Sequence, residues 1–315
     1  MPNKMIKPMK FKGKNKKRNY FEGWYYKCVT LDRKTTLSFI PGISINKENP
    51  HAFIQVIYNN GESIKTNYLT FEIKDFYYDY NLNRLSIKNN LFSLDGFSIN
   101  FETNNFTVRG EVKLLDQKPI KTNPFMPSIM GFFKYLPFME CNHDVVSMSH
   151  KLKGKIKLDD KTIDFDNGKG YIEKDYGKSF PSKYVWIQSN NFSDELTSLM
   201  FSYAKIPYIG LKFNGFITNL HYKNKEYRFA TYNLSKAKII QLDEHLVVFE
   251  IKKGKYKLII KAENSNTIPL AAPKEGVMDH YIKEGLSGFV EISLYEKQKL
   301  IYNDIGKSAG IEIMM

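Results

Sequence analysis

The sequence predicts an all-β chain with little helix, and three observations lead there. It is rich in aromatic residues, with 21 Tyr and 23 Phe among 315 positions, and such side chains favour the pleated, half-buried surface of a sheet. Its apolar runs are of strand length, at residues 24–31, 52–58, 97–101, 184–189, 199–203 and 246–251. Between them stand turn-forming clusters, Asn59-Asn60-Gly61, Asp95-Gly96, Asp159-Asp160, Asn167-Gly168 and Lys253-Gly254. No long segment carries the period of about 3.6 that marks an amphipathic helix, so the pattern is that of an antiparallel sandwich or barrel.

The length leaves room for two domains, each with its own core. Hydrophobic residues make up 42% and charged residues 25% of the chain, a globular balance with no apolar run long enough to span a bilayer. Residues 1–18 are Lys-rich and lack the apolar run of a signal peptide, so they are expected to form a solvated basic arm on a cytoplasmic protein. A weak internal echo suggests duplication. Trp24, Pro41, Phe53-Ile54, Tyr58, Asn60 and Glu62 recur in order as Trp186, Pro207, Phe216-Ile217, Tyr222, Asn224 and Glu226, which predicts two similar units. Their boundaries are placed at 19–150 and 151–315, the seam following a Pro- and Met-rich segment, 122–141, read as a long apolar crossover or lid.

Lys and Arg outnumber Asp and Glu by 47 to 33, a formal charge of +14. The lysines are scattered (Lys14, Lys65, Lys88, Lys153, Lys223, Lys253) and not gathered beside stacking aromatics, which argues against a nucleic-acid partner. Peripheral attraction to an anionic membrane surface fits better. Cys28 and Cys141 have no metal-type spacing, and the six histidines (His51, His143, His150, His221, His245, His280) do not cluster as ligands. Phosphate-binding loops, dinucleotide fingerprints, nucleophile elbows and zinc-protease pairs are missing from the sequence, so neither a metal nor a cofactor is expected.

Chemistry concentrates in residues 168–192. If its first part is extended, alternation places Tyr171, Glu173 and Asp175 on one face and Ile172 and Lys174 on the other. Two carboxyls sharing a dry surface repel, which raises at least one pKa and makes a proton donor near neutral pH. The plainer reading, solvent-facing carboxylates paired with lysines, stays open at this point. Beyond Pro181, Tyr184, Trp186, Gln188 and Asn190 share a strand face, setting a large aromatic surface beside amides. A second stretch, 19–27, places Glu22 before a strand showing Trp24 and Tyr26. A third, 125–150, joins Met126, Met130, Met139, Phe132, Phe133 and Phe138 in a soft apolar surface next to Glu140, Cys141 and His143; a hydrophobic plug between units would look the same.

At these stretches the chain resembles the tocopherol cyclase family, whose fold is related to carotenoid hydratases with paired lipocalin-like domains. The resemblance rests on YFEGWYYK from Tyr20, MGFFKYLPFMECNHDVVSMSH from Met130, GKGYIEKDYGKSFPSKYVWIQSNNF from Gly168, LAAPKEGVMDHYIKEGLSGFVEI from Leu270 and GIEI from Gly310. The chain departs from the family's pattern at Phe132 and Tyr176, where tryptophan is usual, at Asn191, where histidine is, and at Asp144, where glycine is. The resemblance implies two lipocalin-like, calycin-like antiparallel β-barrels packed side by side. It also implies a cofactor-independent cyclase that protonates an alkene of a prenylated quinol and lets the phenol oxygen capture the cation, or else a terpenoid hydratase or a non-catalytic carrier of the same small hydrophobic ligand. On that reading Asp175 or Glu173 donates the proton, and Trp24, Tyr176 and Trp186 line the cation. His143, Gln188 and Asn190 orient the head group, with Glu22, Tyr26, Met139, Glu140 and Tyr171 completing the binding site. Each buried methylene of a prenyl tail contributes roughly 0.8 kcal/mol.

Overall fold

A computed structural model describes residues 9–103 and 106–315. The chain is all-β, with two large antiparallel sheets and, among the described residues, four short 3-10 turns. The first sheet contains β1 (Tyr20–Val29), β2 (Thr36–Ile45), β3 (His51–Asn59), β4 (Ile64–Glu72), β5 (Phe76–Asp79), β6 (Arg84–Ile87), β7 (Asn90–Phe92), β8 (Gly96–Thr103), β9 (Phe106–Leu115), β10 (Cys141–Leu158), β11 (Lys161–Asp164) and β12 (Lys169–Gly177). The second contains β13 (Tyr184–Ser189), β14 (Ser198–Tyr208), β15 (Leu211–Tyr222), β16 (Lys225–Ala230), β17 (Lys236–Leu242), β18 (Leu246–Lys253), β19 (Tyr256–Glu263), β20 (Thr267–Lys274), β21 (Val277–Glu296) and β22 (Lys299–Met314). Five of the six strand-length runs read from the sequence lie within one of these strands and the sixth, 24–31, runs two residues past the end of β1; the turn clusters fall at or beside strand ends, because polar turn formers there satisfy the backbone where the ladder stops.

The two sheets share one plan. Their orders are β4-β3-β2-β1-β12-β10-β9-β8-β7-β6-β5 and β16-β15-β14-β13-β22-β21-β19-β18-β17. In each, a four-strand meander meets the last strand of the same sheet at its centre. The echo in the sequence maps onto this: Trp24 and Trp186 lie in β1 and β13, Pro41 and Pro207 in β2 and β14, Phe53 and Phe216 in β3 and β15. The passage between sheets falls at residues 178–183, beyond the seam expected near residue 150, because β12 returns to pair with β1 before the chain crosses.

Closed barrels are not formed. Each strand path has two edges, and no ladder among the described residues joins β4 to β5 or β16 to β17. Strands β5, β6 and β7 have only four, four and three residues, too short to carry a ladder across the gap. Each sheet instead curls around a core, the first gathering Ile54 and Tyr58 of β3 with Leu85 and Ile87 of β6. Nor is the basic arm wholly solvated. Residues 1–8 lie outside the described residues, but Met9 is buried and its carbonyl accepts hydrogen bonds from Trp24 Nε1 at 3.1 Å and Tyr78 Oη at 3.0 Å. Phe11 packs on Phe76 with ring centres 5.0 Å apart, so this segment stops one mouth of the first core.

The second core follows from alternation. Val247, Phe249 and Ile251 of β18, Leu258, Ile260 and Ala262 of β19, and Val290, Ile292 and Leu294 of β21 all point inward and are buried. A third apolar cluster joins the sheets, formed by Tyr25, Tyr171, Tyr184, Trp186, Met200, Leu270 and Ile282 among others. The central strands β1 and β13 are therefore buried on both faces. Truncating the fully buried Leu258 to Ala removes contacts that β18 and β21 cannot replace, and is expected to lower stability by about 2–5 kcal/mol in urea denaturation.

Candidate active site

Between the sheets, β12 from the first and β13, β21 and β22 from the second present their outward faces to one another. Odd-numbered residues of β12 project there, Tyr171 into the inter-sheet cluster, with Glu173 and Asp175 beside it, while Ile172 enters the first core. On β13 the even residues face across and Val185 and Ile187 enter the second core. The pleat alone makes this division.

His143 of β10 stands opposite Asp175 in the ladder, and its Nδ1 lies 2.8 Å from Asp175 Oδ1. Its Nε2 is 3.4 Å from Glu173 Oε2 and makes no hydrogen bond. Glu173 Oε2 accepts from Tyr171 Oη at 2.6 Å and from Trp186 Nε1 at 3.2 Å. Two further carboxyls complete the interface. Tyr184 Oη donates to Glu312 Oε2 at 2.5 Å, and Tyr25 Oη donates to Glu284 Oε1 at 2.9 Å. Glu284 and Glu312 are ladder partners on β21 and β22, and Glu284 Oε2 is buried with no hydrogen-bond partner.

Two cavities flank Trp186. The larger, about 130 Å³, is walled by Met130, Phe133, Met139, Phe180, Tyr184 and Phe216, with Glu173, Asp175, His143 and Glu312 also on its surface. The smaller, about 60 Å³, lies against Phe21, Tyr25, Phe53, Leu270, Ile282 and Glu284, and shares Glu173, Asp175, Phe180, Trp186 and Glu312 with the first. Gly310 faces the indole, and a Cβ there would come within 2.7 Å of Trp186 Cζ3.

Burial raises the Glu173 carboxyl to about 7, against the lowering effect of His143. Burial likewise raises Glu284 and Glu312 to about 8, with the Glu312 charge adding to the rise at Glu284. For His143, burial alone would lower the pKa, but Asp175 and then Glu173 outweigh it and hold the imidazole at about 9. The phenol of Tyr171 is pushed up by burial and the Glu173 charge, so it stays a donor. The interface near neutral pH thus holds an imidazolium beside Asp175, with Glu284 and Glu312 largely protonated and Glu173 close to its midpoint.

His143, Glu173 and Asp175 offer ligand atoms within 4.8 Å of one another and are the described residues that could hold a metal ion. The 2.8 Å spacing of His143 and Asp175 is a hydrogen bond; two ligands of one ion at about 2.0–2.2 Å each would stand further apart.

A family model described as tocopherol cyclase-like matches residues 116–314, which includes β10, β12, β13, β21 and β22 and hence every acid of this site. The chain belongs to the tocopherol cyclase-like family. A probable chloroplastic tocopherol cyclase of Oryza sativa subsp. japonica is 28% identical over 111 residues, 33% of this chain and 23% of that protein. A chloroplastic tocopherol cyclase of Zea mays is 35% identical over 65 residues, 21% of this chain and 14% of that protein. The matched region thus spans less than a quarter of either plant relative. Among solved structures, CghA superposes with a TM-score of 0.62 at 8% identity, covering 94% of this chain and 88% of that one. A putative AttH from Nitrosomonas europaea gives 0.57 at 12% identity, covering 100% and 99%. Kievitone hydratase from Nectria haematococca gives 0.53 at 10% identity, covering 93% and 88%. These likenesses establish a shared fold.

Within this tocopherol cyclase-like chain, the residues singled out from sequence divide by strand face. Glu173, Asp175, His143, Trp186, Met139 and Glu140 line the larger cavity, and Tyr171 supports it through Glu173. Gln188 and Asn190 share that face but lie deeper. Gln188 Oε1 accepts from the buried Lys27 at 2.9 Å, and Asn190 Nδ2 donates to the Gly170 carbonyl at 2.8 Å, so neither reaches the cavity. Glu22, Trp24, Tyr26 and Tyr176 belong elsewhere, because even positions of β1 and β12 point into the first sheet. Glu22 pairs with Lys174 at 2.8 Å, both fully buried. Trp24 and Tyr26 sit in the first core, and Lys174 stands 4.7 Å above the Tyr176 ring. Sequence reasoning missed Glu284 and Glu312 as site residues. Alternation in GIEI places Glu312 opposite the apolar Ile311 and Ile313, a signal that was present. The sequence-expected lid does reach the second sheet, where Tyr232 Oη donates to the Ile129 carbonyl at 2.8 Å.

NMR titration of the imidazoles should find His143 still protonated well above the ordinary value, titrating near 9, and Asp175→Asn should bring that midpoint down. A raised carboxyl binds its proton more tightly in the folded than in the unfolded chain. Glu284 therefore subtracts stability as pH climbs from its ordinary 4.5 through about 8. Glu284→Gln keeps the shape and cannot ionise, so its melting temperature relative to the parent should rise between pH 5 and pH 9 in calorimetry.

Proposed function

We propose that the chain is a proton-initiated cyclase acting on a prenylated quinol or a related isoprenoid alkene, with Glu173 as the acid. The observation that supports this best is the setting of Glu173. It is a buried carboxyl raised to about 7, on an apolar cavity, with Tyr171 Oη and Trp186 Nε1 already aimed at one oxygen and His143 Nε2 3.4 Å from it.

In this reading Glu173 transfers its proton to the less substituted carbon of the alkene, leaving a tertiary cation. The carboxylate so created is stabilised by donors fixed in advance and by the imidazolium, interactions that strengthen as charge develops. Phe133, Phe180, Tyr184, Trp186 and Phe216 place aromatic faces around the cation. A hydroxyl oxygen then captures it, and the proton that this oxygen loses returns to Glu173, so the net change is an isomerisation. Asp175 and His143 act as positioning groups that keep a positive charge beside the acid. Glu284, largely neutral and with Oε2 unpartnered, would orient the capturing hydroxyl from the smaller cavity, a role read from the sequence for His143, Gln188 and Asn190. If that hydroxyl is water, the same site runs as a hydratase; the shared cavity wall at Trp186 and Glu312 favours neither.

Glu173→Gln should reduce conversion of a prenylated quinol by at least about 10²-fold, the usual scale for a lost general acid, with folding intact by circular dichroism. Because the protonated carboxyl is the active form, the parent's rate should fall as pH rises through about 7. Full conversion by both Glu173→Gln and Asp175→Asn would remove this pair from the chemistry. Ligand bound tightly in native mass spectrometry but never turned over would mark a carrier, and mass gain by one water in the product would mark a hydratase.

A further inference from the structure

Beside the residues that line the larger cavity stand apolar side chains that no described residue covers. Phe138 is 84% exposed and precedes Met139, which lines the cavity. Ile209 and Leu211, 70% and 75% exposed, form the tip of the β14–β15 hairpin, whose Ile206 and Pro207 line the same cavity. Leu234, 90% exposed, lies two residues beyond Tyr232, whose ring meets Phe132 and Phe133 of the crossover at 6.1 Å. Phe133 in turn meets Phe213 of the hairpin at 6.1 Å, so crossover, hairpin and the 231–233 turn make one rim.

Three of these side chains also sit on an unfavourable backbone conformation. Phe138, Ile209 and Leu234 have φ of 64°, 47° and 64°, the left-handed region that bulky and especially β-branched residues avoid and that Asn and Gly tolerate. The hairpin tip reads Ile209-Gly210, where Asn-Gly is the favoured pair. Three exposed apolar residues in an unfavourable conformation gain nothing from the fold in return, which implies that their return comes from outside it.

The surrounding charge indicates which surface. Lys178 and Lys212 lie close enough to Glu140, on the cavity wall, to act on its charge. Lys205 and Lys183 join at the base of the hairpin, where Lys205 N–H donates to the Lys183 carbonyl at 2.9 Å. All four lysines are exposed. Apolar projections with these four lysines beside the hairpin and the Glu140 wall, where Glu275 is the nearby acid, match a bilayer with anionic headgroups, the side chains entering the acyl boundary while the ammonium groups stay with the phosphates. We infer that this rim docks the chain on an anionic phospholipid surface, with the cavity mouth facing the acyl chains. The docking deepens the function proposed above by naming where an apolar substrate enters, yet vesicle binding measured without substrate stands or falls separately from the chemistry.

The test is co-sedimentation of the full chain with phosphatidylcholine vesicles, with and without an equal share of phosphatidylglycerol. The parent should bind the mixed vesicles and release as salt is raised. The triple variant Phe138→Asn, Ile209→Asn, Leu234→Asn should lose at least about tenfold in partitioning. Asn suits the left-handed positions, so the melting temperature should hold or rise, separating lost docking from lost folding. Failure of the parent to sediment with mixed vesicles, or equal sedimentation of parent and variant, would overturn the inference. So would a dimer in analytical ultracentrifugation that the triple variant dissolves, since the rim would then belong to a second copy.

Discussion

The molecule depends on one constraint: the central strands of both sheets must satisfy two environments at once. A strand has two faces, and in β1, β12 and β13 both are covered, one by the sheet's own core and one by the opposing sheet. Ile172 and Glu173 are neighbours in sequence, yet they serve different interiors. Core packing fixes the register of each strand, and a slip of one residue would send Glu173 into the first core and Ile172 into the site. The precision of the acid cluster is thus inherited from apolar alternation and not from the cluster itself.

That inheritance explains how several titratable groups survive out of water. Glu173 and Glu284 are buried and Glu312 is half-buried, and each carboxyl meets a tyrosine hydroxyl from the strand system: Tyr171, Tyr25 and Tyr184 respectively. A neutral acid with one good donor costs far less to bury than a free carboxylate. The same desolvation that favours the protonated forms keeps acidic protons in place near neutrality, so packing and reactivity have a common origin. His143 escapes the usual fate of a buried imidazole because Asp175 lies 2.8 Å away; His150, buried without such a carboxylate, is driven down to about 3.

The first sheet encloses a second polar cluster with a different character. Lys174 and Glu22 are fully paired, Tyr20 and the Lys12 backbone add donors to Glu22, and Lys134 meets Asp144. The segment beginning at Met9 stops the mouth beside it. The charges of this cluster are paired with one another, although Asp144 Oδ1 lacks a hydrogen-bond partner there just as Glu284 Oε2 does between the sheets. The inter-sheet cluster lines the two cavities beside Trp186, and only the thickness of β12 separates it from this one.

The sequence by itself determined the strands, the turns, the duplicated plan and the sharing of a face by Tyr171, Glu173 and Asp175, because period-two alternation and turn chemistry are local properties. It also marked the motifs that place the chain in its family. Only the tertiary structure decided which interior each face meets. Trp24 and Glu173 were grouped from sequence because both lie in stretches that resemble the family, but β1 and β12 are paired, and odd and even positions across that ladder look in opposite directions. Glu284 and Glu312 come to Glu173 from strands more than a hundred residues away in the chain, and Met9 enters the first core from a segment that composition alone marks as solvated. Such meetings depend on how sheets curl and stack, and no spacing along one strand encodes them.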